Sequence, residues 1–259
     1  MATRIQDFRR RLTAREPLIG TFVKTPEPVI CELLSRASLD VVCLDVEHAP
    51  FGRLEIDHCI AALRAADQPS LVRVGSSTAA DIRNALDCGA TGILVPHVNS
   101  EQQARAIVAA ARFGEGGRGY SGTTRAADFG AKSMREYLHD SQTQTAIVVQ
   151  IEDLAALESV AAIAAVDGID CVFVGRIDLA VAMGKEPLAP EVVEVVVGIC
   201  AAGQRGDAAV GMFTPNMSEI ARWRAAGASL FLLGSDHGFV LSGARDLAAM
   251  FHDHSHANR

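Results

Sequence analysis

Two apolar runs in this chain each end abruptly in a carboxylate. They are Thr145-Ala-Ile-Val-Val-Gln-Ile-Glu152 and Cys171-Val-Phe-Val-Gly-Arg-Ile-Asp178. Their residues are mostly β-branched or aromatic, so both read as buried parallel strands. The segment between them, Leu154 to Val166, has the length and Ala/Leu content of a crossover helix. A right-handed βαβ unit puts the C-terminal ends of neighbouring parallel strands at one rim. The pattern therefore predicts Glu152 and Asp178 side by side. Like charges that close are costly unless a cation or a shared proton relieves them. A divalent metal with oxygen ligands would do so. The bland alternative has one carboxylate capping the next helix and the other solvated.

The elements around this unit repeat its rhythm. Strands are expected at Leu18–Lys24, Val41–His48, Ser70–Val74, Gly92–Val98, Ala208–Thr214 and Leu230–Asp236, with helical segments between them. About eight strand–helix alternations in 259 residues point to an α/β fold of the (β/α)₈ barrel type, one domain led by an N-terminal helix. A doubly wound sheet would carry a glycine turn for nucleotide phosphates after its first strand, and none is present. The Gly-rich stretch 114–122 follows a helix and is expected as a mobile loop over the site. Residues 252–259 are expected to fray.

A barrel builds its active site from the C-terminal ends of its strands. The polar residues there are Lys24, Asp45, Glu47, His48, Arg73, His97, Gln150, Glu152, Asp178 and Asp236. His48 suits proton transfer near neutral pH, or is a surface histidine. Arg73 suits bidentate capture of a carboxylate, or is a structural ion pair. His97 follows Val-Pro and reads equally as a third metal ligand or a packed histidine; it is left out of the candidate set.

Composition narrows the classes. Net charge is −7, which gives no general case for nucleic acid or an anionic membrane. No run reaches transmembrane length, and the Arg-rich N-terminus has no apolar core of a secretory signal. The six cysteines form no CxxC pair. They are expected as reduced core thiols of a cytoplasmic protein.

Several motifs follow one another in a recognisable order: Leu44-Asp-Val-Glu-His-Ala-Pro50, Leu71-Val-Arg-Val74, Ala85-Leu-Asp-Cys-Gly-Ala-Thr-Gly-Ile-Leu-Val-Pro96, Gly117-Arg-Gly-Tyr-Ser121, Val149-Gln-Ile-Glu152, Val174-Gly-Arg-Ile-Asp-Leu179 and Gly234-Ser-Asp236. Over nearly the whole chain this resembles the HpcH/HpaI aldolase family, metal-dependent class II pyruvate aldolases of sugar-acid and aromatic catabolism. The resemblance implies a homo-hexamer, a trimer of dimers with exchanged C-terminal helices. It implies that Glu152 and Asp178 bind a divalent metal (Mg, Mn or Co, with Zn and Ni as further candidates). Gln150 and the backbone from Gly175 to Ile177, beside Asp178, would hold pyruvate. Arg73 would stabilise an enolate oxygen. His48 would be the base, made more basic by Asp87, with Asp45 a second partner. Arg176 departs from the family, where proline is common, and is expected to add a cation beside the metal carboxylates. His97 replaces a commonly apolar residue.

The implied reaction is reversible cleavage of a 4-hydroxy-2-oxo acid to pyruvate or hydroxypyruvate and an aldehyde, through a metal-stabilised enolate. Three rivals remain. A decarboxylase of oxaloacetate-like acids would share the enolate. A Schiff-base aldolase would use Lys24, the strand-end member of only three lysines. A non-catalytic binder of 2-oxo acids would return its ligand unchanged.

Overall fold

Side chains on a strand alternate between two faces, and here the two faces feed two separate cores. The computed structural model describes residues 2–257. Its strands are β1 Leu18–Val23, β2 Val41–Asp45, β3 Ser70–Arg73, β4 Gly92–Val95, β5 Ala146–Ile151, β6 Cys171–Val174, β7 Ala209–Phe213 and β8 Leu230–Ser235. All pair in parallel, in sequence order, and β8 closes back onto β1. The fold is thus the expected (β/α)₈ barrel. Val42, Leu44, Val72, Ile93, Ile147, Val149, Val172 and Val210 point outward into the layer under the helices. Phe22, Val41, Cys43, Leu71, Leu94, Val148, Phe173 and Leu232 fill the barrel itself. All six cysteines are buried and free.

One end of the barrel is plugged. The helix Arg4–Thr13 begins with a reciprocal cap between Thr3 and Gln6. Its Phe8 and Leu12 join the barrel-interior cluster. Arg9 Nε lies 2.9 Å from Oδ1 of Asp170, just before β6, which fixes this helix to the N-terminal rim. The C-terminal rim is left for ligands.

Several boundaries differ from the sequence expectation. β2 stops at Asp45, so Glu47 and His48 stand in the turn beyond it. β6 stops at Val174, and the helix Arg176–Ala182 starts almost at once. Asp178 therefore sits in the first turn of a helix, where the partial positive charge of exposed N–H groups favours a carboxylate. The crossover after β5 is a 3₁₀ turn, Leu154–Ser159, followed by a single helical turn and a half, Val160–Ala164.

The Gly-rich stretch lies at the opposite end from the one expected. It leaves the helix Glu101–Ala111, which runs back from β4 towards the N-terminal rim. Arg118 donates to Tyr137 Oη at 2.9 Å and pairs with Asp87. It also lines a small cavity with Ile5, Gly89 and Thr145, all at the N-terminal end. The loop thus braces the floor of its own barrel and does not cover its mouth. The helix Asp236–Ala257 includes residues 252–257 of the segment expected to fray, and 258–259 lie outside the described residues. No helix among the described residues is long and apolar enough to cross a membrane.

Phe8 is 1% exposed, and removing it would leave a void in the plug. Phe8→Ala should cost roughly 3–5 kcal/mol of stability, read by denaturant unfolding. A loss under about 1 kcal/mol would show that the helix does not close the barrel.

Candidate active site

The inward parity that builds the barrel core continues past the last apolar layer. Phe22 is followed inward by Lys24, Cys43 by Asp45, Leu71 by Arg73, Val148 by Gln150 and Glu152, and Phe173 by Gly175. Core-facing positions thus turn polar together at one rim. They surround a cavity of about 320 Å³ lined by Phe22, Lys24, His48, Arg73, Gln150, Phe173, Gly175, Arg176, Ile177, Asp178, Phe213, Gly234 and Ser235. A larger depression of about 590 Å³ lies under Phe113 and Tyr120 by the Gly-rich loop and is lined by no carboxylate or histidine.

Strand register sets the first charge pair. Asp45 and Arg73 are direct partners across β2 and β3. Arg73 donates to Asp45 Oδ1 from Nε at 3.0 Å and Nη2 at 2.8 Å. Its Nη1 is 3.3 Å from Glu47 Oε2, and its guanidinium carbon lies 4.7 Å from the centre of the Phe22 ring. Asp45 has no exposed surface. A buried carboxylate of this kind requires compensation, and Lys24 Nζ adds a second cation 3.3 Å from Oδ2. The His48 backbone N–H also donates to Asp45 Oδ1, at 3.2 Å. The His48 ring is half exposed at the mouth, its Nε2 3.7 Å from Glu47 Oε2.

The second centre is Glu152, which is buried. It accepts from Gln150 Nε2 and, at 2.9 Å, from the His97 backbone N–H. Burial pushes its carboxyl up; His97 acts against this, while the negative charges of Asp178 and Glu47 add to it. Asp178 is exposed on its helical turn, and among the described residues the carboxylate that shares close ligand atoms with Glu152 is Glu47. Gly175 makes room for Glu152: a Cβ there would lie 2.5 Å from Glu152 Cβ and 2.9 Å from its Oε2.

His97 belongs to this centre. Its backbone is left-handed, with φ 55°. Its Nδ1 lies 3.1 Å from Asp153 Oδ2, and its Nε2 3.4 Å from Glu47 Oε1. Burial works to lower its pKa, but Glu152, Asp153 and Glu47 together hold the ring above the ordinary histidine value. Glu47, His97 and Glu152 can each turn one ligand atom within 4.8 Å of the others. Glu47 Oε2 and Gln150 Oε1 are buried with no hydrogen-bond partner. Arg73 answers Glu47 on one side, but two carboxylates, an imidazole and an unpartnered amide oxygen remain together, and this donor set fits a divalent cation.

The structure thus gathers Asp45, His48, Arg73, Gln150, Glu152, Gly175, Ile177 and Asp178 at one rim. It does not bring Asp87 to them. Asp87 ends the helix Ala79–Asp87 at the N-terminal side and is engaged by Arg118. Arg176 also departs from expectation. Its side chain is buried against Glu219 Oε2 at 2.9 Å and the Pro187 carbonyl at 3.0 Å, so its charge is spent on the wall and not on the metal carboxylates. Asp236 is structural: it accepts from the backbones of Lys24 and Thr25 at 2.8 and 2.9 Å, tying β1 to β8 at the rim. Burial raises its pKa, but these donors hold it below the usual carboxylate range. The aromatic lining is absent from the polar set at the strand ends. Phe22 and Phe213 pack with ring centres 5.9 Å apart, and their inward parity with the barrel core was the signal.

Gly175→Ala should force Glu152 and Gln150 apart. Overpacking of this kind costs about 1–3 kcal/mol, and Mn²⁺ affinity measured by calorimetry should fall with it. Wild-type stability and binding together would show that the cradle has slack.

Comparison with known proteins agrees with the fold. The chain matches the HpcH/HpaI aldolase/citrate lyase family over residues 18–242. It is 31% identical over 254 residues to a hydroxypyruvate/pyruvate aldolase of Paraburkholderia phytofirmans, covering 95% of this chain and 97% of that one. It is 34% identical over 247 residues to a 5-keto-4-deoxy-D-glucarate aldolase of Klebsiella pneumoniae, covering 94% and 96%. A crystal structure of an HpcH/HpaI aldolase/citrate lyase family protein from Burkholderia cenocepacia superposes with a TM-score of 0.89 at 32% identity, covering 95% of this chain and 99% of that one. Matched from first strand to last helix, the chain belongs to the HpcH/HpaI aldolase/citrate lyase family.

Proposed function

We propose that this chain is a divalent-metal-dependent aldolase that reversibly cleaves 4-hydroxy-2-oxo acids to pyruvate, or hydroxypyruvate, and an aldehyde. The observation that carries the reading is the joining of two centres at one cavity. Asp178 and the Arg73 fork line the same cavity, and the buried Glu152 stands behind its wall, bonded to Gln150 and packed against Gly175, so a cation between Glu152 and Asp178 would border the space that Arg73 faces. The aldolase names of its relatives support a lyase.

A divalent cation held by Glu152 and Asp178 would supply Lewis acidity to the carboxylate and ketone oxygens of the oxo acid. Gln150 and the backbone from Gly175 to Ile177 would hold that carboxylate in the plane the reaction needs. Arg73, fixed by Asp45 and Phe22, directs its remaining donors to where the ketone oxygen gains negative charge. His48 stands at the mouth, on the aldehyde side, and takes the proton of the 4-hydroxyl as the C–C bond breaks. In the reverse direction it returns that proton to the new alkoxide. Phe22, Phe173 and Phe213 form an apolar floor that excludes water from the nascent carbanion.

Asp87 cannot act on the His48 of its own barrel, because the two lie at opposite ends. Its role as the partner of His48 therefore requires a second copy. Assembly, the homo-hexamer in this reading, is supported by the helix Asp236–Ala257, which exposes Phe239, Val240, Leu241 and Leu247. Lys24 Nζ is engaged with the buried Asp45, which argues for a charged wall residue over a Schiff-base nucleophile.

Cleavage should be abolished by EDTA and restored by Mg²⁺, Mn²⁺ or Co²⁺. A panel of pyruvate or hydroxypyruvate with succinic semialdehyde, lactaldehyde, glyceraldehyde and tartronate semialdehyde identifies the aldehyde. Borohydride with pyruvate present should add no mass. A pyruvate adduct on Lys24, with activity surviving EDTA, would replace the metal mechanism with an imine one.

A further inference from the structure

His97 is the residue at the rim that the proposed reaction leaves without a task. Its surroundings are built. The backbone around it is held by the His97 N–H on Glu152 Oε1 at 2.9 Å, by the Val98 N–H on the Gln150 carbonyl at 3.1 Å, and by Gln103 Nε2 on the His97 carbonyl at 3.1 Å. These bonds hold His97 in the left-handed region, with φ 55°, which non-glycine residues adopt sparingly. The result places the imidazole between Glu47 and Glu152.

The two ring nitrogens have different neighbours. Nδ1 lies 3.1 Å from Asp153 Oδ2, close enough to donate its proton there, and 3.3 Å from Glu152 Oε1. That leaves the lone pair on Nε2, which lies 3.4 Å from Glu47 Oε1. A carboxylate that fixes the tautomer and orients the far nitrogen is the usual support of a metal-bound histidine. The separation also suits a shared ion: two donors each about 2.1 Å from a metal stand this far apart when the angle between them is a little over a right angle. Independently, Gln150, whose Nε2 donates to Glu152, keeps its Oε1 buried with no hydrogen-bond partner, an oxygen that a cation at this spot would satisfy.

We propose that His97 supplies an imidazole ligand, through Nε2, to the divalent cation held by Glu152, with Glu47 beside it and Asp153 orienting the ring. This rests on the metal reading above and adds to it a preference among ions. A purely oxygen-ligated site suits Mg²⁺; one imidazole moves the balance towards Co²⁺, Ni²⁺ and Zn²⁺. The position of His97, on the turn after β4 and not on the strands that carry Glu152 and Asp178, makes this an addition to the two-carboxylate site and not a replacement for it.

The test measures binding, not turnover. Full-length wild type, His97→Ala, His97→Asn and Asp178→Ala are titrated with Co²⁺ and with Mg²⁺ by calorimetry. Asparagine tolerates the left-handed backbone, so His97→Asn separates loss of the ring from disturbance of the turn. Pulsed EPR of the Mn²⁺-loaded proteins reads directly bound imidazole nitrogen. The proposal expects nitrogen modulation in wild type that is absent from both His97 variants and retained in His48→Ala. It also expects Co²⁺ affinity to fall at least tenfold in both His97 variants, with Mg²⁺ affinity falling several-fold less. Loss of affinity in Asp178→Ala, with none in the His97 variants and no nitrogen modulation in wild type, would overturn the histidine and leave the two-carboxylate site standing. Unchanged affinity in all three variants would overturn both.

Discussion

A carboxylate with no exposed surface, Asp45, sits at the last inward position of β2, and the rim is arranged around satisfying it. Strand register brings Arg73 directly opposite. The resulting pair, closed on its other side by Lys24, costs desolvation that only well-placed partners can offset. What it provides is direction. Arg73 is held at two nitrogens by Asp45 and pressed against Phe22, so its remaining donors are aimed before any ligand arrives. The same Asp45 oxygen receives the His48 backbone N–H, so the turn that carries the proposed base is fixed by the group that fixes the proposed electrophile.

The remaining charges are unbalanced in the other sense. Glu47, Glu152 and Asp178 act on one another electrostatically; Arg73 reaches only Glu47, at 3.3 Å, and Arg176 is turned into the wall against Glu219. Burial and like charge both push the Glu152 carboxyl up, and His97 acts against them. A cation is the addition that this arrangement lacks. Gly175 shows how tightly the space is drawn, since even a methyl group would strike Glu152.

Much of this was legible in the sequence because a period of two is a strong constraint. Inward residues of a barrel strand are apolar until the rim, so a polar residue in phase with them marks the site. That rule alone picks out Asp45, Arg73, Gln150 and Glu152. It fails for residues off the strands. Asp178 reads in the sequence as a strand end but lies on a helical turn, because the helix starts at Arg176, directly after Gly175, with no polar linker or capping side chain to mark its start. The Gly-rich stretch was placed over the mouth although the alternation itself puts any segment between a barrel helix and the next strand at the opposite end. Asp87 lies there too, which is why only a second copy can join it to His48. The engagement of Arg176 with Glu219, and the left-handed backbone that swings His97 between Glu47 and Glu152, depend on contacts between segments remote in sequence. Neither composition nor spacing encodes them.

The central claim is that this rim makes pyruvate's methyl group acidic by pairing a cation with a fixed arginine. Exchange of pyruvate methyl protons into deuterated water, followed by NMR with no aldehyde present, tests that step apart from any choice of substrate. The account predicts exchange by the Mn²⁺- or Co²⁺-loaded protein, its loss in Glu152→Ala, and a decrease of roughly 10²–10³-fold when the directed donors of Arg73 are replaced in Arg73→Lys. Folded, metal-loaded wild type that exchanges no faster than the metal alone would contradict it, as would exchange that persists unchanged in Glu152→Ala.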